Sequence, residues 1–322
     1  MSGTCLVVMY HYLRDSASTE YPGIRSLPPA LFEQQLGWLE RKYDVIDLAR
    51  LEAAIDGRAA LPGRAALLTF DDGFVDHYEV AFPALRRHGL TGVFFLAENA
   101  CGATPRVLGV HKTHFLLARL GADGFARAVL DECAAVPGCA HATVFGADRW
   151  EHAGERAVKD LLNYDLPFED AERVLDALFA RHIGPEDLFA RRLYLSHSMI
   201  AEMAAAGMVF GHHTRSHRML SRLTVAEQEQ ELGGGVAWIR ARTGQARVPF
   251  CYPWGGPETY TRDTLRILGA AGYSLAFNTV RRRVNLAMDG RFELPRVDTR
   301  DLPPYTAGEP EAMAAAAPAE EA

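Results

Sequence analysis

Three short segments carry side chains that could do chemistry together. The segment LLTFDDGFVD, residues 67–76, delivers two adjacent carboxylates, Asp71 and Asp72, at the end of an apolar run, and Gly73 permits a tight turn behind them. Two like charges side by side repel. A cation that takes one of them makes the pair favourable and leaves the other as a base, its pKa set by the ion and its neighbours. A helix-capping Asp pair is the alternative reading. The segment FGHHTRSHRMLS holds His213 and His217, four residues apart. On one helical turn they would share a face with Cβ atoms about 5–6 Å apart, a spacing that suits two imidazoles on one ion. One carboxylate and two histidines leave positions open for water and substrate, which is the pattern of a catalytic metal site. His212 is expected to point elsewhere. The third segment, VPFCYPWGG, ends an apolar run in Pro253, Trp254, Gly255 and Gly256. Its glycines let backbone approach a ligand, and a backbone N–H here could stabilise an oxyanion; a plain Pro/Gly turn is the alternative. Near the N-terminus, LVVMYHYLRD raises a further question, because its apolar run ends by presenting His11.

The elements that must position these groups are short apolar runs ending in polar or glycine-rich stretches: CLVVMY, AALLTF, TGVFFLA, GMVFG, VPFCYP and YSLAFNT. Each reads as a buried strand with its functional end at the C-terminal side. Helical patterns lie between them. LFEQQLGWLERKY spaces Leu31, Phe32, Gln35, Leu36 and Leu39 on one face, and YEVAFPALRRHG shows Tyr78, Phe82 and Leu85 with Gly89 as a stop. Thr224 and Glu227 read as a capping box opening the helix VAEQEQELGGGVAWIRARTG. Strand and helix in alternation argue for an α/β fold with a parallel sheet or barrel, whose chemistry gathers at the C-terminal strand ends. Residues from about 100 to 194 break the rhythm and read as a helical insertion within a domain spanning residues 1–306. Its His111 and His114 are assigned to packing or the surface, since no third ligand lies nearby. The tail 307–322 is low in complexity and reads as disordered.

Composition narrows the function class. The chain has 322 residues, 48% of them hydrophobic, and a net charge of −7. Nucleic acid is therefore excluded as a main partner, since its affinity rests on clustered Lys and Arg. Arg281, Arg282 and Arg283 form the nearest thing to a cluster and read as a solvated turn. No apolar run approaches the roughly 18 residues needed to span a bilayer. MSGTCLVVMY lacks the features of a signal peptide, and the five cysteines are scattered with no CxxC pair. Free thiols and a cytoplasmic location are the expectation.

TFDDG, then HTxSH, then an F-x-Y-P-aromatic-G segment, in this order, resembles the polysaccharide deacetylase (NodB-homology) family, carbohydrate esterase family 4. The resemblance covers roughly residues 4–99 and 195–305. It implies a distorted (β/α) barrel of about seven strands, and hydrolysis of N- or O-acetyl groups of sugars with a divalent metal, zinc foremost, with Co, Ni, Mn or Fe also suited to the ligands. It implies Asp71 as general base, Asp72, His213 and His217 as metal ligands, the Trp254 backbone N–H as oxyanion donor, and Tyr252 with Trp254 against the substrate. The departing amine needs an acid, and histidine suits that task near neutrality. Many family members take it from a Leu-x-His motif near the C-terminus, but this chain has no histidine after Arg218. It is similar instead to members whose acid sits in an N-terminal Tyr-His, which answers the question of His11.

A second departure is Cys251, which stands where many members have an Arg that orients the base. Arg296, in ELPRVDT after the short strand RFELP, is expected to pair with Asp71 in its place. Two roles stay open for Asp298, orienting His11 or a place on the surface. The substrate classes expected are an N-acetylated sugar, a nucleotide sugar or a lipid-linked saccharide in surface-polysaccharide or glycoconjugate metabolism. A non-sugar amide hydrolase and a non-catalytic carbohydrate-binding relic are the rivals.

Overall fold

Large apolar and β-branched residues cover a sheet surface well, and the main strands are built from them. β1, Thr4–Tyr10, and β3, Ala65–Phe70, are buried along nearly their whole length, as strands covered on both faces must be. The computed structural model describes residues 3–134 and 153–306. Its other strands are β2 (Asp44–Val45), β4 (Val93–Leu96), β5 (Val209–His212), β6 (Phe250–Cys251), β7 (Ala276–Phe277), β8 (Val284–Asn285) and β9 (Val297–Asp298). The six apolar runs of the sequence are β1, β3, β4, β5, β6 and β7, and they lie parallel in the order β7-β6-β5-β4-β3-β1. β8 extends this path as a seventh strand, antiparallel to the start of β1. β2 lies beside the start of β3, and β9 pairs with the end of β1.

The sheet curls, and one segment ties its ends together. Leu294 exchanges backbone hydrogen bonds with β7, donating to Ala276 and accepting from Asn278. Three residues later Val297 pairs with Val8 of β1. Residues 294–298 thus run from β7 to β1 and close the ring. RFELP is not a regular strand: Leu294 bridges Phe277, the Arg291 carbonyl accepts the Ala276 N–H at 2.9 Å, and the strand β9 begins only at Val297, against β1.

Alternation along each strand then decides what faces inward. Cys5 and Val7, Ala65 and Leu67, Val93 and Phe95, with Cys251 and Phe277, meet in one apolar cluster inside the ring. Continuing each line by two residues reaches Met9 and His11, Thr69 and Asp71. On β5 the same line runs from Val209 through Gly211 to His213. Gly211 is needed here, since a Cβ would sit 2.4 Å from the Phe95 ring and 2.8 Å from the Pro249 carbonyl oxygen.

The other parity faces an aromatic layer. Tyr10 and Phe70 stack at 5.2 Å between centroids, Phe70 and Phe94 at 4.6 Å, and Phe32 of the helix Pro29–Lys42 meets Tyr10 edge-on. His77 sits in this layer against Phe70, Phe74 and Phe94. Burial holds its imidazole down at about 4, despite the carbonyl of His11 that it meets. His212 shares this outward parity, which is why it turns away from the ring. Its ring stacks on Tyr273, whose hydroxyl lies 2.6 Å from Nδ1. The capping box at Thr224 and Glu227 forms, but the helix it opens is broken at Gly233 and Gly234 into Val225–Leu232 and Gly235–Thr243. A Cβ on Gly235 would collide with His212 and Tyr273, so the glycine run lets backbone reach this pair. Arg281 and Arg282 each pair with a carboxylate, Asp301 and Asp289, and Arg283 donates to the Tyr43 hydroxyl.

The chain divides into two compact units. The first comprises Met1–Arg14, Leu27–Thr104 and Tyr194–Ala322 and holds the sheet. The second comprises Asp15–Ser26 and Pro105–Leu193. It is helical, with Gly109–Cys133 broken at Gly121, then Ala153–Asp160, Phe168–His182 and Glu186–Leu193. Phe125, Val129, Leu161, Val174 and Leu178 build its core. Lys112 is buried there against Asp176, Glu186 and Glu172, and His111 is buried beside the half-buried His114. Cys139 and the tail from residue 307 lie outside the described residues. No described helix is long and apolar enough to cross a membrane.

Two outcomes follow for stability. Gly211→Ala forces a methyl into the Phe95 ring and is expected to cost about 1–3 kcal/mol in chemical denaturation. His77 is neutral in the fold but titrates near 6.5 when unfolded, so the unfolded chain takes up the extra proton as pH falls. Its contribution is intact above about pH 6.5 and is lost between there and about pH 4. His77→Gln is expected to flatten that limb of a melting-temperature against pH profile.

Candidate active site

The three inward lines end at one place. Asp71 follows β3, its backbone N–H donating to the Tyr10 carbonyl at 2.9 Å. Its carboxylate is buried and held by Arg296 through two parallel bonds, Nη1 to Oδ1 at 2.8 Å and Nη2 to Oδ2 at 2.7 Å. The structure therefore brings together the pair that the sequence suggested. Arg296 also donates to the Asn278 carbonyl at 3.1 Å and to Thr69 Oγ1 at 3.2 Å, and its Nη2 lies 2.9 Å from Cys251 Sγ. Burial works against the charge on Asp71; the guanidinium outweighs it and holds the carboxyl at about 2. Asp71 is thus ionised throughout the range in which the fold is at work. Burial pushes the Cys251 thiol up, so a neutral sulfur fills the space beside this ion pair.

Asp72 turns the other way because its backbone φ is +74°. Its Oδ1 lies 3.5 Å from His213 Nε2 and 3.4 Å from His217 Nε2. Ligand atoms at about 2.0–2.2 Å from a tetrahedral ion lie roughly 3.3–3.6 Å apart, so these spacings fit a shared divalent cation better than direct hydrogen bonds. The residues fit the metal that the sequence implied. His213 Nδ1 donates to the Cys251 carbonyl at 2.7 Å, which leaves Nε2 as the ligand atom. Asp71, His213 and Cys251 also lie close enough to hold an ion, but Arg296 already places a positive charge on Asp71 and against Cys251.

The two histidines do not share a helical turn, as their spacing suggested. Residues 213–219 form a loop, and the rings meet at 74° with centroids 4.8 Å apart. Thr214 Oγ1 accepts the His217 N–H at 2.9 Å, and Glu231 accepts the N–H groups of Arg215 and Ser216 at 3.0 and 2.9 Å. Neither brace was legible: Thr214 lies inside a motif read only for its histidines, and Glu231 lies in a helix read only for its cap. Among the described residues, the non-glycine positions with positive φ are Asp72, Thr214, His217 and Trp254. All four belong to this site, each costing about 1–3 kcal/mol of strain that the surroundings must offset.

His11 closes one side, its Nε2 3.7 Å from Asp71 Oδ2 and its side chain 42% exposed. Trp254 lies on the other, 36% exposed, its ring 6.1 Å from that of His217. None of the described hydrogen bonds uses the Trp254 N–H. Tyr252 is placed differently from its expected substrate contact. It is buried, stacks on Tyr260, and donates its hydroxyl to the Phe292 carbonyl at 2.8 Å, so it has no polar group left to offer a sugar. Asp298 accepts the Arg300 N–H at 2.8 Å and caps the short turn Thr299–Asp301 rather than bonding to His11.

The sequence model of one family, polysaccharide deacetylase, matches residues 140–276, a span that contains His213, His217 and Trp254. The poly-beta-1,6-N-acetyl-D-glucosamine N-deacetylase of Escherichia coli K12 is 30% identical over 82 residues, 25% of this chain and 12% of that protein. YxkH of Bacillus subtilis is 25% identical over 97 residues, 30% of this chain and 33% of that protein. The chain spans a third or less of the length of these curated relatives. Among solved structures, the Streptococcus pyogenes deacetylase PplD in complex with acetate superposes with a TM-score of 0.59 at 17% identity, covering 97% of both chains. IcaB from Ammonifex degensii superposes with a TM-score of 0.55 at 21% identity, covering 92% of this chain and 91% of that one. The fold is theirs, and residues 140–276 of this chain match the polysaccharide deacetylase family.

Proposed function

We propose that the protein is a metal-dependent deacetylase that hydrolyses the N-acetyl group of a hexosamine in an oligosaccharide or glycoconjugate. One observation carries this reading. Two adjacent carboxylates are driven into different roles, Asp71 clamped by Arg296 and Asp72 set between two imidazole nitrogens. A relic that only bound sugar would have no use for that division. The similarity to the E. coli poly-N-acetylglucosamine deacetylase supports an acetylated amino sugar as substrate.

Asp72, His213 and His217 would hold a divalent cation, zinc being the best suited, which supplies Lewis acidity toward the acyl oxygen and lowers the pKa of water. Asp71, ionised and fixed by Arg296, takes the proton of the attacking water. The Trp254 N–H, which no hydrogen bond among the described residues uses, stabilises the oxyanion as the tetrahedral centre forms. His11, whose Nε2 lies 3.7 Å from Asp71 Oδ2, gives a proton to the departing amine, which could not leave as an anion. The exposed Trp254 ring offers a flat apolar face to the sugar.

Acetate release from short N-acetylglucosamine oligomers and UDP-N-acetyl sugars, with Zn or Co, tests the reading. Asp71→Asn and His11→Ala are each expected to lower turnover by about 10²–10⁴-fold. Absence of release from every sugar by a metal-loaded wild type would refute it and turn attention to non-sugar amides. The brace on the ligand loop gives a second test. Glu231→Gln is expected to weaken cation affinity by about 10–100-fold in a calorimetric titration, with the fold retained.

A further inference from the structure

β1 ends at Tyr10, so sheet pairing does not fix His11 or the residues after it. Apart from the Leu27 N–H, which donates to the Tyr12 carbonyl at 3.0 Å, what holds them is the segment that follows the two carboxylates. His77 Nε2 lies 3.0 Å from the His11 carbonyl oxygen and donates to it. Asp76 accepts the Leu13 N–H at 3.0 Å, and both its oxygens accept from Arg14, at 2.7 Å from Nε and 2.7 Å from Nη2. Asp76 and His77 are both buried. The other ring nitrogen of His77 has no hydrogen-bond partner among the described residues. A polar ring has therefore been buried among aromatics for the single bond it makes to the backbone of His11, a costly choice if packing alone were served. A π-helical turn at His77–Ala81 widens the helix where this ring must reach across.

We propose that Asp76 and His77 are positioning residues for the proton donor: they lock residues 11–14 onto the segment carrying Asp71, and so hold the His11 imidazole at the leaving-group side of the site. The proposal rests on the reading of His11 as the acid. One stretch, residues 71–77, then sets the base, one metal ligand and the attitude of the acid. The clamp grips the backbone of 11–14 and leaves the imidazole free to rotate toward a substrate nitrogen, which suits a group that must pass a proton on.

The test compares two acetyl compounds that differ in leaving group, an N-acetylglucosamine oligomer and 4-nitrophenyl acetate. The aryl oxide leaves without a proton; the amine does not. His11→Ala is expected to lower the amide-to-ester ratio of turnover by about 10²–10⁴-fold. Asp76→Asn and His77→Leu are expected to lower the same ratio by about 10–10²-fold with little change in ester turnover. His77→Gln, which restores an N–H donor, recovers most of it. Equal losses on both compounds, or a wild-type ratio in the Asp76 and His77 variants when His11→Ala has lost it, would overturn the proposal. A wild-type ratio in His11→Ala sinks the acid assignment itself, and the positioning role with it. Should neither compound be turned over, amide exchange at Leu13 and Arg14 decides: faster exchange in Asp76→Asn at an unchanged melting temperature supports the clamp, and wild-type protection removes it.

Discussion

The buried ion pair between Asp71 and Arg296 is the interaction on which the rest of the site depends. Taking two charges out of water costs several kcal/mol per ion, and only close geometry with every remaining donor satisfied recovers it. Here both carboxylate oxygens are engaged, and the guanidinium spends its other donors on Thr69 and the Asn278 carbonyl. The pair is also structural. Arg296 lies on the segment that ties β7 to β1, so the charge that fixes Asp71 is delivered by the same residues that close the ring. Sheet closure and site assembly are one event in this fold.

The site is otherwise a study in backbone held out of its preferred conformations. Strand alternation brings His11, Asp71 and His213 inward without strain. The residues that must depart from that line, Asp72, His217 and Trp254, all do so with positive φ, and Thr214 joins them. Such strain persists only where neighbours over-determine the geometry. The neighbours are identifiable: Glu231 and Thr214 under the ligand loop, and Thr279, whose backbone N–H and hydroxyl donate to the carbonyls of Gly255 and Trp254.

Much of this was legible in the sequence, for a physical reason. Buried parallel strands read as unbroken apolar runs, so six of them announced themselves, and the polar residues ending them were candidates by position alone. Pairing between Arg296 and Asp71 was suggested because Cys251 stands where many members of the similar family carry the Arg that orients this carboxylate, and Arg296 was the charge available to replace it. What could not be read depends on contacts distant in sequence or on backbone shape. The histidines suggested a helical turn because spacing of four is shared by helices and by compact loops. Tyr252 was expected against the substrate from the family-like segment it shares with Trp254; only the three-dimensional path of the strand shows the hydroxyl turned to Phe292. The strands β2, β8 and β9 are two residues each and carry no pattern at all.

The position of Arg296 has a consequence in time. During synthesis, Asp71, Asp72, His213 and His217 all leave the ribosome before residues 294–298 do. Until that segment docks, Asp71 lacks the Arg296 guanidinium and the ring its seam. A nascent chain can therefore gather Asp72, His213 and His217 while Asp71 remains unpaired, and the cluster is complete only when residues 294–298 are laid down.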